Sequence, residues 1–180
     1  MTQAGLRGVG PVLLPKLATP VSGAWRGLSM NGGGLSGPLD PGNAIPWDVL
    51  FAETDGIRST GTNTFGAITV PTGAAGVVPS GMAGLWRLAS QCEVVFTSDG
   101  GQWEYDIVKN NFSFFIGDSR LYGTSPDHFT MIVSPFVVEL AEGDVVWCNF
   151  SPFGGDANVG GSYSTFLMEY VGPVGGGSGS

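Results

Sequence analysis

Two apolar runs, Phe136–Leu140 and Val145–Phe150, flank the polar break Ala141-Glu142-Gly143-Asp144 and constrain this chain more than any other stretch. β-Branched and aromatic side chains suit a pleated, packed surface, and Gly143-Asp144 favours a tight reversal, so the stretch is predicted to be a hairpin of two paired strands. Side chains alternate along a strand, which puts Val146, Cys148 and Phe150 on one face and Val145, Trp147 and Asn149 on the other. Both faces carry large apolar groups. The second strand is therefore expected to be buried on both sides, against a core on one and against another layer or subunit on the other.

Elsewhere, 31 glycines, 12 prolines and a charged fraction of only 12% favour many short strands and turns over helix. Strands are predicted at Ile45–Phe51, Phe65–Val70, Leu85–Thr97, Trp103–Val108, Phe112–Ile116, His128–Val133 and Tyr163–Val171, with Lys109-Asn110-Asn111 turning one hairpin. Within Leu85–Thr97, the residues Trp86, Leu88, Ser90, Cys92 and Val94 share a face. About eight to ten short strands, with no repeat of the length seen in propellers or solenoids, predict an all-β sandwich of the jelly-roll type over residues 44–172. A chain of 180 residues can bury a sizeable core without disulfides. Cys92 and Cys148 each lie in a run with apolar alternates and are read as buried, reduced side chains.

Residues 1–43 have another character. Pro11, Pro15, Pro20, Pro38, Pro41 and the glycines at 32–34 interrupt helical and strand periodicity alike, so an extended arm is expected, with the domain's strands beginning near Ile45. The arm nevertheless carries Val12, Leu13, Leu14, Leu17, Val21, Trp25, Leu28, Met30 and Leu35, too many apolar groups to remain in water. Its charge is +2 against −10 for the rest, which suits an acidic neighbour as well as it suits three scattered solvated charges. A Gly/Ser tail, residues 173–180, closes the chain. Gly8, Gly10, Pro11 and Pro15 break up the charged-then-apolar pattern of a signal peptide, so secretion by that route is not expected. No run is long enough to span a bilayer, and a net charge of −8 opposes non-specific nucleic-acid binding. Neither membrane nor nucleic acid is an expected partner.

Catalytic patterns are weak. Histidine-based metal sites of enzymatic jelly rolls need two or three imidazoles, whereas His128 is the only histidine and is read as an exposed loop residue after Ser125-Pro126-Asp127. Glu104 and Asp106 share a strand face, as an acid–base pair would, but no nucleophile or oxyanion donor accompanies them, and they are read instead as part of a solvated acidic face. The Gly-rich runs at 32–34 and 159–161 lack the Lys-Ser/Thr ending of a phosphate loop. The glycosylation sequons at Asn111 and Asn149 have little meaning without a secretory signal. No catalytic residue and no cofactor is assigned.

Four segments, in order, resemble the complement C1q globular head and tumour necrosis factor superfamily. Val78–Leu88 resembles that family's apolar-Pro-x-x-Gly-x-Tyr-x-Phe strand, with Trp86 and Leu88 at the aromatic places. Ile107–Asn111 is similar to its Leu-x-Lys-Asn-Gly turn, with Asn111 in place of Gly. Phe136–Phe150 resembles its late hairpin, with Cys148 in place of an aliphatic residue, and Ser164–Tyr170 its closing strand. The resemblance spans roughly residues 44–172 and implies a ten-stranded jelly roll that assembles as a trimer and binds partners without catalysis. The C1q branch often holds calcium with loop carboxylates, which directs attention to Asp99, Asp118 and Asp156, although no spacing here matches a calcium loop. A trimer contact is expected on an apolar strand face that includes Trp147, Phe166 and Tyr170. A trimeric knob behind an apolar Pro/Gly arm resembles accessory proteins of tailed-phage particles. The expected function is thus a non-enzymatic capsid decoration (cement) protein on the virion surface. It would grip the major capsid protein or another virion protein through Leu13, Leu14, Leu17 and Trp25. A receptor- or carbohydrate-binding knob of a phage fibre and a soluble C1q/TNF-like ligand are the alternatives.

Overall fold

Alternation along the run that begins at Gly84 sets the frame. Trp86, Leu88, Cys92 and Val94 are fully enclosed and Ser90 nearly so, while Arg87 between them is exposed. The computed structural model describes residues 22–27, 44–45, 47–53, 56–65, 68–96, 102–111, 115–122, 128–152 and 157–174, and every regular element among them is a strand. In chain order these are β1 (Ser22–Gly27), β2 (Trp47–Glu53), β3 (Asn63–Phe65), β4 (Ile68–Val70), β5 (Ala75–Val77), β6 (Gly84–Phe96), β7 (Gln102–Lys109), β8 (Phe115–Tyr122), β9 (His128–Leu140), β10 (Val145–Pro152) and β11 (Ala157–Gly172).

They form a five-stranded sheet in the order β2-β1-β11-β6-β9, a four-stranded sheet in the order β5-β10-β7-β8, and the separate hairpin β3-β4. Every ladder is antiparallel. The core lies between the two larger sheets. Trp86, Leu88, Met131, Val133, Phe166 and Met168 from one meet Tyr105, Ile107, Val146 and Cys148 from the other. Burying a large apolar side chain is worth about 1.5–3 kcal/mol, so these residues dominate what holds the sheets together.

Besides β5, which the sequence does not predict, the fold departs from the sequence expectations at four places. Phe136–Leu140 and Val145–Phe150 are not a hairpin: β9 pairs with β6 in one sheet, whereas β10 pairs with β5 and β7 in the other. The reversal itself is tight, since Asp144 N–H donates to Ala141 O at 3.1 Å and Gly143 has φ 81°. A turn fixes where the chain reverses, but burial decides which sheet each strand joins. The single strand expected at Phe65–Val70 is instead the hairpin β3-β4, with Phe65 opposite Ile68. His128 opens β9, opposite Val95, rather than lying in a loop.

The fourth departure alters the arm. Ser22–Gly27 runs between β2 and β11, in register from Ser22 opposite Glu169 to Arg26 opposite Thr165. Among the described residues strand structure therefore starts at Ser22 rather than near Ile45. β-Propensity is context-dependent, and here two waiting ladders outweigh the nearby prolines.

A second apolar layer packs on the far side of the four-stranded sheet. Ala44, Val70, Ala74, Ala75, Val108, Val145 and Trp147 enclose one another there, with Phe65 and Val77 packed against them. This layer explains why β10 is buried on both faces. Its covering comes from the same chain.

Candidate self-association surface

Strand parity assigns the opposite face of the five-stranded sheet. Where Phe166 and Met168 point into the core, the intervening Leu167 and Glu169 of β11 face out. Leu85, Arg87, Ala89 and Gln91 do the same on β6. Register sets these residues side by side, with Leu167 opposite Ala89, Glu169 opposite Arg87, Arg87 opposite Val137 and Gln91 opposite Ile132. On this face Ile132, Val137 and Val171 are 54%, 52% and 48% exposed. Leu85, Ala89 and Leu167, between them, are half-buried by their neighbours.

One extra residue in β9 decides which valine faces out. The pairing passes from Ser90 opposite Val133 to Leu88 opposite Phe136, so β9 holds a bulge at Ser134-Pro135. A bulge shifts parity by one, which turns Phe136 and Val138 toward the core and Val137 outward. Pro135, with no N–H to give a ladder, was the sequence signal for that irregularity.

Arg87 Nη1 and Glu169 Oε2, 2.9 Å apart, form an ion pair across the same face. Both side chains are partly exposed, so the pair contributes about 0–1 kcal/mol in isolation. It lies beside Val137, on a face to which Gln91 and Glu139 add further polar groups.

The residues expected at a threefold contact lie elsewhere. Trp147 is completely enclosed in the second apolar layer, and its Nε1–H donates to Asn110 O at 3.2 Å. Phe166 is completely enclosed in the main core, stacked on Trp47 with ring centroids 6.0 Å apart. Tyr170 is half-buried and packs edge-on against Trp86 at 5.3 Å. Trp147 and Phe166 have no surface left to offer a second copy. Strand alternation alone could not reveal that one chain supplies both layers around β10.

Of the arm residues, Leu13, Leu14 and Leu17 lie outside the described residues. Trp25 falls in β1, opposite Phe166 and Leu50, so its backbone belongs to the sheet. Asp99 and Asp156, considered for calcium, also lie outside the described residues, while Asp118 is placed in β8 opposite Asp106. Among the described residues no three His, Cys, Asp or Glu side chains gather into a metal-holding group. Glu104 and Asp106 do share a strand, but Asp106 is fully buried and Glu104 only half-buried, so they are not the solvated acidic face expected. No described helix is long and apolar enough to cross a membrane.

Cys92 and Cys148 are buried and unbridged. Burial pushes the Cys148 thiol up to about 12, despite hydrogen bonds with Ser90 and Tyr105 that pull the other way, and pushes Cys92 higher still. Such thiols are protonated at neutral pH and poor nucleophiles. Cys148 belongs to a polar node inside the core. Ser90 Oγ donates its one proton to Thr165 O at 2.7 Å, so in the hydrogen bond between Ser90 Oγ and Tyr105 OH the phenol is the donor. The node joins β6 and β11 of one sheet to β7 and, through Cys148 Sγ at 3.4 Å from Ser90 Oγ, to β10 of the other.

No protein-family model matches the chain, and no curated protein matches it. Solved structures do. Murine APRIL, crystallised at pH 8.0, superposes with a TM-score of 0.51 at 11% identity, over 85% of this chain and all of that one. The globular domain of zebrafish complement 1qA gives 0.52 at 10% identity, over 85% of this chain and 98% of its own. The fold is a C1q/TNF-like jelly roll. At such low identity the likeness concerns architecture alone. Within this jelly roll, the outward face of the five-stranded sheet carries three of the four exposed large hydrophobic side chains among the described residues, Ile132, Val137 and Val171.

Proposed function

We propose that the chain is a non-enzymatic, self-associating jelly roll, a homotrimer that decorates the surface of a virion and is fixed there by its N-terminal segment. The observation that carries the self-association is the apolar strip on the five-stranded sheet. Exposed Ile132 and Val137 on β9 and Val171 on β11, on one face of one sheet, mark a contact surface, and closed symmetry is the usual way to cover one. The C1q/TNF-like fold and its resemblance to trimeric family members support the threefold form.

The virion reading rests on residues 1–21. Leu13, Leu14 and Leu17 precede the first strand and are too apolar for a solvated leader, so they suit a groove on a neighbouring shell protein. Trp25, the fourth residue of this anchor, lies in β1 just past the end of that segment.

Two measurements test the reading. Light scattering at micromolar concentration is expected to give three times the chain mass for the unmodified protein and the chain mass after Ile132→Lys with Val137→Lys. Monomeric unmodified protein overturns the self-association. A chain starting at Ser22 should then fail to co-sediment with particles that lack this protein, while the full chain binds. Equal binding by both overturns the anchor.

A further inference from the structure

We propose that Arg87 of one copy takes the Glu139 carboxylate of the next, so that the outward face of the five-stranded sheet closes through a ring of ion pairs between copies; the inference rests on the self-association reading. It starts from where the charges stand. Register sets Arg87 between Glu169 on β11 and Val137 on β9, with Leu85 and Ala89 two residues away along its own strand. The arginine is thus ringed by the apolar groups of the contact surface. Among the described side chains of this face it is the one cation, against Glu93, Glu139 and Glu169.

A guanidinium presents its N–H donors as a planar fork. Nη1 is engaged with Glu169 Oε2 at 2.9 Å, and this single contact leaves the Nε and Nη2 edge for a second carboxylate, the paired geometry in which arginine holds carboxylates most firmly. The side chain is 48% exposed, which keeps that edge within reach of another molecule. Glu139 is the matching acceptor. It is exposed, and its carboxylate belongs to no ion pair among the described residues. Because Leu85 lies opposite Glu139 and Arg87 opposite Val137, the arginine and the glutamate are diagonal neighbours, about 7–8 Å apart at the backbone. Two complementary groups so close on one face meet between copies when that face lines a symmetry axis, and in a closed ring every copy gives one arginine and receives one glutamate.

Charge also selects the occupant. Covering Leu85, Val137 and Val171 takes Arg87 and Glu139 out of water with them. A charge enclosed without a partner opposes association, and three carboxylates against one cation make like faces repel. Pairing each Glu139 with the neighbour's Arg87 relieves both. A merely apolar patch on another protein brings no carboxylate to the fork, so the pair favours a second copy of this chain over other apolar surfaces.

Both side chains are exposed in the single chain, so reversing their charges leaves the core untouched. Light scattering of Arg87→Glu and of Glu139→Arg, each alone at micromolar concentration, is expected to give the chain mass. A chain carrying both reversals is expected to return to three times that mass. An equal mixture of the two single variants is expected to form complexes of two chains or more, since each supplies the charge that the other lacks. Mixing cannot restore a pair that lies within one chain, so this arm separates a contact between copies from an internal one. Single variants that still form trimers overturn the ring, and so does a mixture that stays at the chain mass. If the unmodified protein is a trimer and neither the double reversal nor the mixture recovers association, the ring falls and the self-association stands, whereas a monomeric unmodified protein removes both.

Discussion

Asn110 shows how much one residue can organise. It stands at φ 54°, a left-handed conformation that asparagine tolerates better than most residues. From there its side-chain amide donates to Asp144 Oδ1 at 2.7 Å and its side-chain oxygen accepts from Val145 N–H at 2.8 Å. Asp144 is thereby surrounded. Burial alone would raise its pKa, but hydrogen bonds from Asn110, the Ala141 N–H and Lys109 outweigh it and hold the carboxyl below the ordinary 3.8. A depressed folded-state pKa means stability that is fully present above about pH 4 and lost as the pH falls through the folded value. Asp144→Asn should thus cost about 1–3 kcal/mol at pH 7. Urea titrations at several pH values should show the gap to the unmodified protein closing below pH 4. The core node makes a second case. Ser90→Ala removes the oxygen that accepts from the Tyr105 hydroxyl, leaving it only the weaker Cys148 sulfur, and should cost about 1–3 kcal/mol, whereas adding Tyr105→Phe removes the poorly satisfied donor and should recover part of that loss. Additive losses in a double-mutant cycle count against the assigned donor.

At the scale of elements, truncation separates two roles of the N-terminal region. A chain starting at Ser22 keeps β1 and should unfold at the same urea concentration as the full chain. One starting at Leu28 strips β2 and β11 of a ladder each, and its unfolding midpoint should fall well below. Equal midpoints for the two truncations contradict β1 as a structural strand. Part of this was readable beforehand. β6 was legible because one parity of Leu85–Thr97 is uniformly core-like, and the turn at Lys109–Asn111 because asparagine suits reversed backbone. β1 was hidden because the prolines and glycines around it report local preference, and its two partners are distant in sequence or beyond a long connection. The β9-β10 pairing was misread for a related reason. Apolar content shows that a strand is buried, while the choice between two sheets is made by residues such as Gly84 and Val77 that pair with it from elsewhere.

For the molecule as a whole, association and stability are one equilibrium. If the strip of Ile132, Val137 and Val171 is closed by other copies, unfolding releases separate chains, and Tm must rise with protein concentration. Ile132→Lys places a charge in that contact and should remove the concentration dependence while leaving the fold unaltered, because the side chain is more than half exposed in the single chain. Differential scanning calorimetry over a hundredfold range of concentration measures both. A flat Tm for the unmodified protein contradicts the assembly.

The strand order carries a consequence for how the protein is made. Of the described strands β11 is the last to leave the ribosome, yet it lies in the middle of its sheet, with β1 on one side and β6 on the other. Until it emerges, the first strands synthesised have no central partner, and β6 has only β9. Such long-range pairing slows folding and lengthens the time for which unpaired edges are exposed. Completion of the sheet therefore waits until β11 has emerged, and a nascent chain stalled before residue 157 should remain sensitive to protease at its N-terminal strands.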